Sequence, residues 1–200
     1  DYVYDKRLYD RLRDKNAAAV RTHLSADPEF QTKLVRFLEN HDEMRAASAF
    51  PPAIHMAAAV ITFLTPGFHL IHEGQLEGMR IKLPVQLNRR PQEPPDPVIR
   101  RFYLDLIECR KHQASCGRWK LLECFPAWEG NSTVDQFISF LWEEDEKARL
   151  LVTVNYGPAQ GQCYVRLHLP DLHGSRFMLS DLMNQAQCER EGSELALQGL

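Results

Sequence analysis

Apolar and polar positions change rhythm twice along the chain, and the changes divide it into three stretches. In the first stretch, Leu8, Leu12 and the run Ala17 to Val20 recur at helical spacing on a charged background, just after Tyr2-Val3-Tyr4, which reads as the end of a strand. Asp27-Pro28-Glu29 combines an N-cap, a first-turn proline and an acid, and so opens a short helix. Val35-Arg36-Phe37-Leu38 is a short strand that runs without Gly or Pro into Glu39-Asn40-His41-Asp42. A loop with Pro51-Pro52 leads to an alanine-rich helix over Ile54 to Leu64, with Ile54, Ala57, Ala58 and Ile61 on one face, stopped by Thr65-Pro66-Gly67. Phe68 to His72 is a second short strand, and Gly74 and Gly78 mark the loop beyond it.

Residues 84–97 break the pattern. Five prolines and the aperiodic Leu87-Asn88-Arg89-Arg90-Pro91 predict a long connection. Asp96-Pro97 then opens a helix whose Ile99, Phe102, Tyr103 and Leu106 follow three-and-four spacing, and which ends before Gly117.

From Trp119 onward the period is two. Strands are predicted over Trp119 to Phe125, Gln136 to Trp142, Leu150 to Tyr156, Cys163 to Leu169, Phe177 to Leu179 and Glu194 to Leu197. The acidic run Glu143 to Lys147 reads as a solvated hairpin tip. The fold class is therefore α/β followed by all-β, with strand–helix units over residues 1–112 and a small antiparallel β-sandwich over residues 113–200.

Composition adds bounds. The chain has 200 residues, 44% hydrophobic, with net charge −3, so it carries no basic footprint for nucleic acid. The longest apolar stretch, Ala57 to Leu64, is too short to span a bilayer. Asp1 to Lys6 lacks the two regions of a signal peptide. Five cysteines without a Cys-x-x-Cys pair argue against a disulfide framework or a zinc site and favour a reducing, cytoplasmic compartment. Asn131-Ser132-Thr133 matches the common glycosylation triplet.

Candidate chemistry gathers at Asn40-His41-Asp42. Polar groups at the C-terminal end of a strand in a parallel fold are placed to bind ligands, and a carboxylate there stabilises developing positive charge. The residues allow a second reading, in which Asn40 and Asp42 close a turn or cap the next helix. His69, His72 and Glu73 do not make a shared metal site, since residues 69 and 72 of one strand point to opposite faces. His55 reads as a core histidine, Trp142 as core, and Trp128 beside Glu129-Gly130 as an exposed aromatic platform.

Phe37 to Glu43, followed by Arg45, resembles the fourth signature region of the alpha-amylase superfamily of glycoside hydrolases, with Met44 where proline is usual. Tyr4 to Tyr9 resembles the segment after the sixth barrel strand, and Pro66-Gly67 through Gly74-Gln75 resembles the passage into the eighth. There His69 stands in place of a proline, and His72-Glu73 in place of an aromatic pair. The resemblance implies the C-terminal part of a (β/α)8 barrel followed by a C-terminal β-domain, acting on alpha-glucans or oligosaccharides without a cofactor or metal. It implies that Asp42 stabilises the transition state, that His41 binds the sugar, and that Asn40 and Arg45 assist, Arg45 by pairing with the carboxylate.

Retaining hydrolysis needs two further carboxyls about 5–5.5 Å apart, which the family supplies upstream of any segment matched here. A complete barrel takes about 250 residues. The expectation is a fragment that is inactive alone and that self-associates through its unfinished barrel surface. A non-catalytic carbohydrate-binding or protein-interaction module is the alternative.

Overall fold

The computed structural model describes residues 1–86, 89, 91–112, 117–144, 148–167 and 169–197. Residues 87, 88 and 90 of the proline-rich connection, residues 113–116 with Cys116 among them, residues 145–147 of the acidic tip, His168 and the last three residues lie outside that set. The chain divides into two compact units, Asp1–Arg110 and Lys111–Leu200.

The first unit is built on three short parallel strands, β1 (Val3–Tyr4), β2 (Leu34–Arg36) and β3 (Phe68–His69), with β2 in the middle. Tyr4, Val35 and Phe68 are in register across the sheet. The three strands form an open sheet, and no closed barrel exists among the described residues. Between β1 and β2 the chain makes α1 (Lys6–Arg13), α2 (Ala17–Leu24) and α3 (Pro28–Thr32). The split between α1 and α2 falls at Lys15, whose φ of 56° is left-handed and cannot continue a helix. Asn16 then accepts from the Ala19 N–H and starts α2.

A buried polar knot ties these helices to β2. Asp5 caps α1 through the Leu8 N–H, while its carboxylate also meets His23 Nε2 at 2.8 Å and Arg36 Nε at 3.3 Å. Gln31 completes the knot by accepting from Arg36 Nη2 and donating to the His23 carbonyl. Arg36 is fully buried, and that burial pushes its guanidinium down to about 10 although the Asp5 charge opposes the shift.

After β2 come α4 (Ala46–Ala49) and α5 (Pro52–Leu64). α5 buries Ile54, Ala58, Ala59 and Ile61, so its apolar face is rotated slightly from the one the spacing predicts, with Ala57 only partly covered. Fully burying a side chain such as Ile61 contributes about 2 kcal/mol. Gly67 turns the chain into β3 at φ +110°, and a Cβ there would sit 2.6 Å from the Leu34 carbonyl oxygen, so only glycine fits. α6 (Pro97–Arg110) is capped by Asp96, which accepts from the Val98 and Ile99 N–H groups, and it buries Ile99, Tyr103, Leu106 and Cys109.

The second unit is antiparallel. Strands β4 (Arg118–Leu122), β6 (Phe137–Glu144) and β7 (Ala148–Asn155) form one sheet in the order β4-β6-β7. β5 (Cys124–Pro126) pairs with β8 (Cys163–Val165), and β9 (Arg176–Ser180) with β10 (Gln187–Glu191). The single strand expected over Trp119 to Phe125 is thus two, serving different sheets. β6 is buried over six consecutive residues, as the central strand of a sheet covered on both faces must be. Leu122, Leu141, Val165, Leu167, Leu169, Leu172 and Leu195 form a core beside it.

A second sequence expectation is corrected here. Glu194 to Leu197 is not a strand but part of the helix α7 (Gly192–Leu197). Gly192 lets the chain pass so close to the Leu172 carbonyl that any side chain would collide, and the turn this permits buries Leu195 against the core.

Candidate active site

The candidate site follows β2, the only described strand with a parallel neighbour on each side. Burial falls away along the segment. Phe37, Leu38 and Glu39 are buried, Asn40 nearly so, and the next two side chains emerge, His41 56% and Asp42 76% exposed. The two touch, with His41 Nε2 3.2 Å from Asp42 Oδ2. An imidazole and a carboxylate side by side in water can grip neighbouring hydroxyls of one ring.

Asn40 sets the turn. Its Oδ1 accepts from the Asp42 N–H at 2.9 Å and the Glu43 N–H at 3.0 Å. The side chain thereby closes the chain back on itself and turns Asp42 outward. The turn is also moored at its edges. Lys6 Nζ pairs with Glu43 Oε1 at 3.0 Å, and Lys82 Nζ donates to the Asp42 carbonyl.

Arg45 lies behind the turn and faces away from Asp42. Its Nη1 donates to Glu39 Oε1 at 2.6 Å and to the Glu73 carbonyl at 2.5 Å, and stands 2.9 Å from His72 Nδ1. Its Nε donates to the Ile81 carbonyl at 3.3 Å. The other Glu39 oxygen accepts the Ala46 N–H at the start of α4. The expected pairing of Arg45 with the Asp42 carboxylate is thus replaced by pairing with Glu39, because the guanidinium is buried and takes a buried anion. Glu39, His72, Lys6 and Lys82 had no assigned role in the sequence reading. Glu39 stands inside the motif itself, but its partner six residues on is fixed by the chain's path and not by any helical or strand period.

The remaining candidates fall elsewhere. His55 is buried and bonded to Tyr103 Oη at 2.9 Å, and Gln75 donates to the same oxygen. Burial, with the Arg80 charge adding to it, pushes His55 down to about 4. His69 Nε2 meets the Thr65 carbonyl, whereas His72 joins Glu39 and Arg45. No group of three His, Cys, Asp or Glu side chains is placed to hold a metal ion among the described residues. Trp142 is core, and Trp128 is 55% exposed. Asn131 is buried, with its Nδ2 donating to the Gln162 carbonyl, which is not the setting of a glycosylated amide.

A small parallel sheet with its helices, followed by an antiparallel unit, is the fold of the C-terminal part of alpha-amylase-family structures. Among solved structures, the chain is similar to a noncanonic maltogenic alpha-amylase from Thermotoga neapolitana, at 20% identity and a TM-score of 0.74 over 94% of this chain and 46% of that one. It is similar to an alpha-amylase from Lactobacillus plantarum at 16% identity and a TM-score of 0.63, over 95% of this chain and 44% of that one. For a cyclomaltodextrinase the values are 18%, 0.63, 94% and 34%. The chain therefore spans less than half the length of each of these structures. Neither protein-family models nor curated protein sequences give a match. No described helix is long and apolar enough to cross a membrane.

Proposed function

We propose that the chain is the C-terminal part of a retaining, alpha-amylase-type glycoside hydrolase acting on alpha-glucans such as starch, glycogen or maltooligosaccharides. Residues 1–112 supply the last strands of its (β/α)8 barrel, and residues 113–200 its C-terminal β-sandwich. Asp42 accepts hydrogen bonds from ring hydroxyls at the point of cleavage, and these strengthen as the ring flattens towards an oxocarbenium ion. His41 donates to a neighbouring hydroxyl, Asn40 holds the turn, and Arg45 holds the loop from behind. Nucleophile and general acid come from elsewhere in the whole enzyme, so the chain alone turns over no glucan. The scattered cysteines fit work in the cytoplasm.

The observation that carries this reading is the exposed Asp42 beside His41, past the end of a central parallel strand and aimed outward by the Asn40 turn. The test is Asp42→Asn in the full-length enzyme. Losing one preorganised electrostatic group costs about 3–4 kcal/mol, so turnover of maltooligosaccharides drops by about 100-fold or more while the fold persists. Unchanged turnover would overturn the assignment.

A second reading has its own support in Trp128, whose ring stands in solvent two residues beyond β5. In that reading the chain is a carbohydrate-binding or protein-interaction module without catalytic duty. Glucan retention by this chain that is lost on Trp128→Ala but indifferent to Asp42→Ala would favour it.

A further inference from the structure

We propose that Cys124 and Cys163 are a thiol–disulfide modification site, closed across the β5–β8 strand pair by small-molecule disulfides of the glutathione type. In the antiparallel register Cys124 stands opposite Val165, and Cys163 stands opposite Pro126. Side chains two apart on a strand share a face, so both sulfurs lie on one face of the pair, on a diagonal. That face is the inner one, and both cysteines pack against the core formed by Leu122, Leu141 and Val165. The two thiols are hydrogen-bonded to each other.

Three features suit this pair, among the described cysteines, to closing an intramolecular bond. Both members are only partly buried, so a small disulfide can reach them; Cys109 is buried on α6, and the exposed Cys188 on β10 stands opposite Leu179 and not another cysteine. β5 and β8 are three residues each, and Pro126 has no N–H to give the ladder opposite Cys163, so that end of the pair can yield. A diagonal pair starts with Cα atoms about 7–8 Å apart, beyond the usual disulfide span of about 4.4–6.8 Å. Closure therefore draws the strands together, and the resulting bond is readily reduced by thiols. Burial pushes the Cys163 thiol up, partly offset by its hydrogen bond with Cys124, so the reaction is slow at neutral pH and faster in mild alkali.

The chemistry balances. One cysteine thiolate attacks the small disulfide, forming a mixed disulfide and expelling one small thiolate. The second cysteine thiolate then attacks the protein sulfur of that bond, forming the intramolecular disulfide and expelling the other small thiolate. The two cysteines lose two electrons and two protons, and the reagent becomes two thiols.

The test uses the intact chain and does not depend on its enzymatic assignment. It is incubated with oxidised glutathione at mildly alkaline pH, remaining thiols are alkylated, and peptides are mapped by mass spectrometry with and without dithiothreitol. The expected product links the Cys124 and Cys163 peptides, has lost two hydrogens, leaves Cys109 alkylated whether or not exposed Cys188 carries glutathione, and reverts with dithiothreitol. The same link forms in the Cys188→Ser chain. Alkylation or glutathionylation of both cysteines without a link, or a link from either to another cysteine, overturns the proposal.

Discussion

The Glu39 carboxylate and the Arg45 guanidinium meet at 2.6 Å, both buried, on either side of the turn that exposes Asp42. Arg45 reaches onward to His72 Nδ1 and the Glu73 carbonyl beyond β3, so one cation joins the ends of two parallel strands. Removing either partner leaves the other charge buried without its counter-ion, Glu39 held only by the Ala46 N–H and His72, and Arg45 only by His72 and two backbone carbonyls. Arg45→Met and Glu39→Gln should each destabilise the first unit by about 3–5 kcal/mol, read from urea unfolding. The double variant should lose less than the sum, since it strands no charge. Additive losses would mean that the two charges do not depend on each other.

Asn40 makes a separate prediction, about the turn and not the fold. Its Oδ1 satisfies two backbone donors, and Asn40→Ala leaves both to water. The loss should be about 1–2 kcal/mol, with faster hydrogen exchange at the Asp42 and Glu43 amides. Asn40→Asp keeps the acceptor and should restore protection at both amides. If exchange is unaffected by Asn40→Ala, the turn is held by its Lys6 and Lys82 moorings instead.

What could be read in advance follows the range of the interactions involved. β2 and its polar continuation were legible because an apolar run ends abruptly in Asn-His-Asp, and α6 because Ile99, Tyr103 and Leu106 keep one face. α4 was not, since four residues without a side-chain cap carry no period. β10 was not, because all five of its residues are exposed and polar positions leave no alternation. The break at Lys15 had a local signal, Asn16 as an N-cap, which the Leu8-to-Val20 spacing overrode. The Glu39–Arg45 pair and the Asp5–Arg36 knot join residues that only the folded chain brings together, so composition and spacing were silent on both.

His55 makes the first unit acid-sensitive. Its value falls from 6.5 to about 4 on folding, chiefly by burial. Below pH 6.5 the unfolded chain takes up a proton that the folded chain refuses, so stability is complete above that pH and declines as the pH falls towards 4. One such group is worth about 3 kcal/mol over that window, at 1.36 kcal/mol for each unit of difference. His55→Gln should flatten the pH dependence of the urea midpoint between those limits. An unchanged slope would assign the acid sensitivity to other groups, such as half-buried His69, which is also pushed down to about 4.

The open sheet makes the final prediction. Tyr2, Tyr4 and Phe68 are 61%, 57% and 52% exposed, and Tyr4 and Phe68 flank the in-register Val35 on one face. Tyr2 and Phe68 already stack edge to face at 4.4 Å, so the rings form one patch and not scattered residues. Contiguous apolar surface of this kind drives association, because each ring removed from water on contact gains what it forgoes in the monomer. Light scattering of the isolated chain should therefore give a dimer or larger species. Tyr4→Lys with Phe68→Lys places two like charges on the same face and should return it to a monomer; helix content should persist because both rings are more than half exposed, although Tyr4→Lys gives up the edge-to-face contact with buried Phe37. A wild-type chain that stays monomeric at high concentration would show that the patch is too small or too well hydrated to bind a second copy.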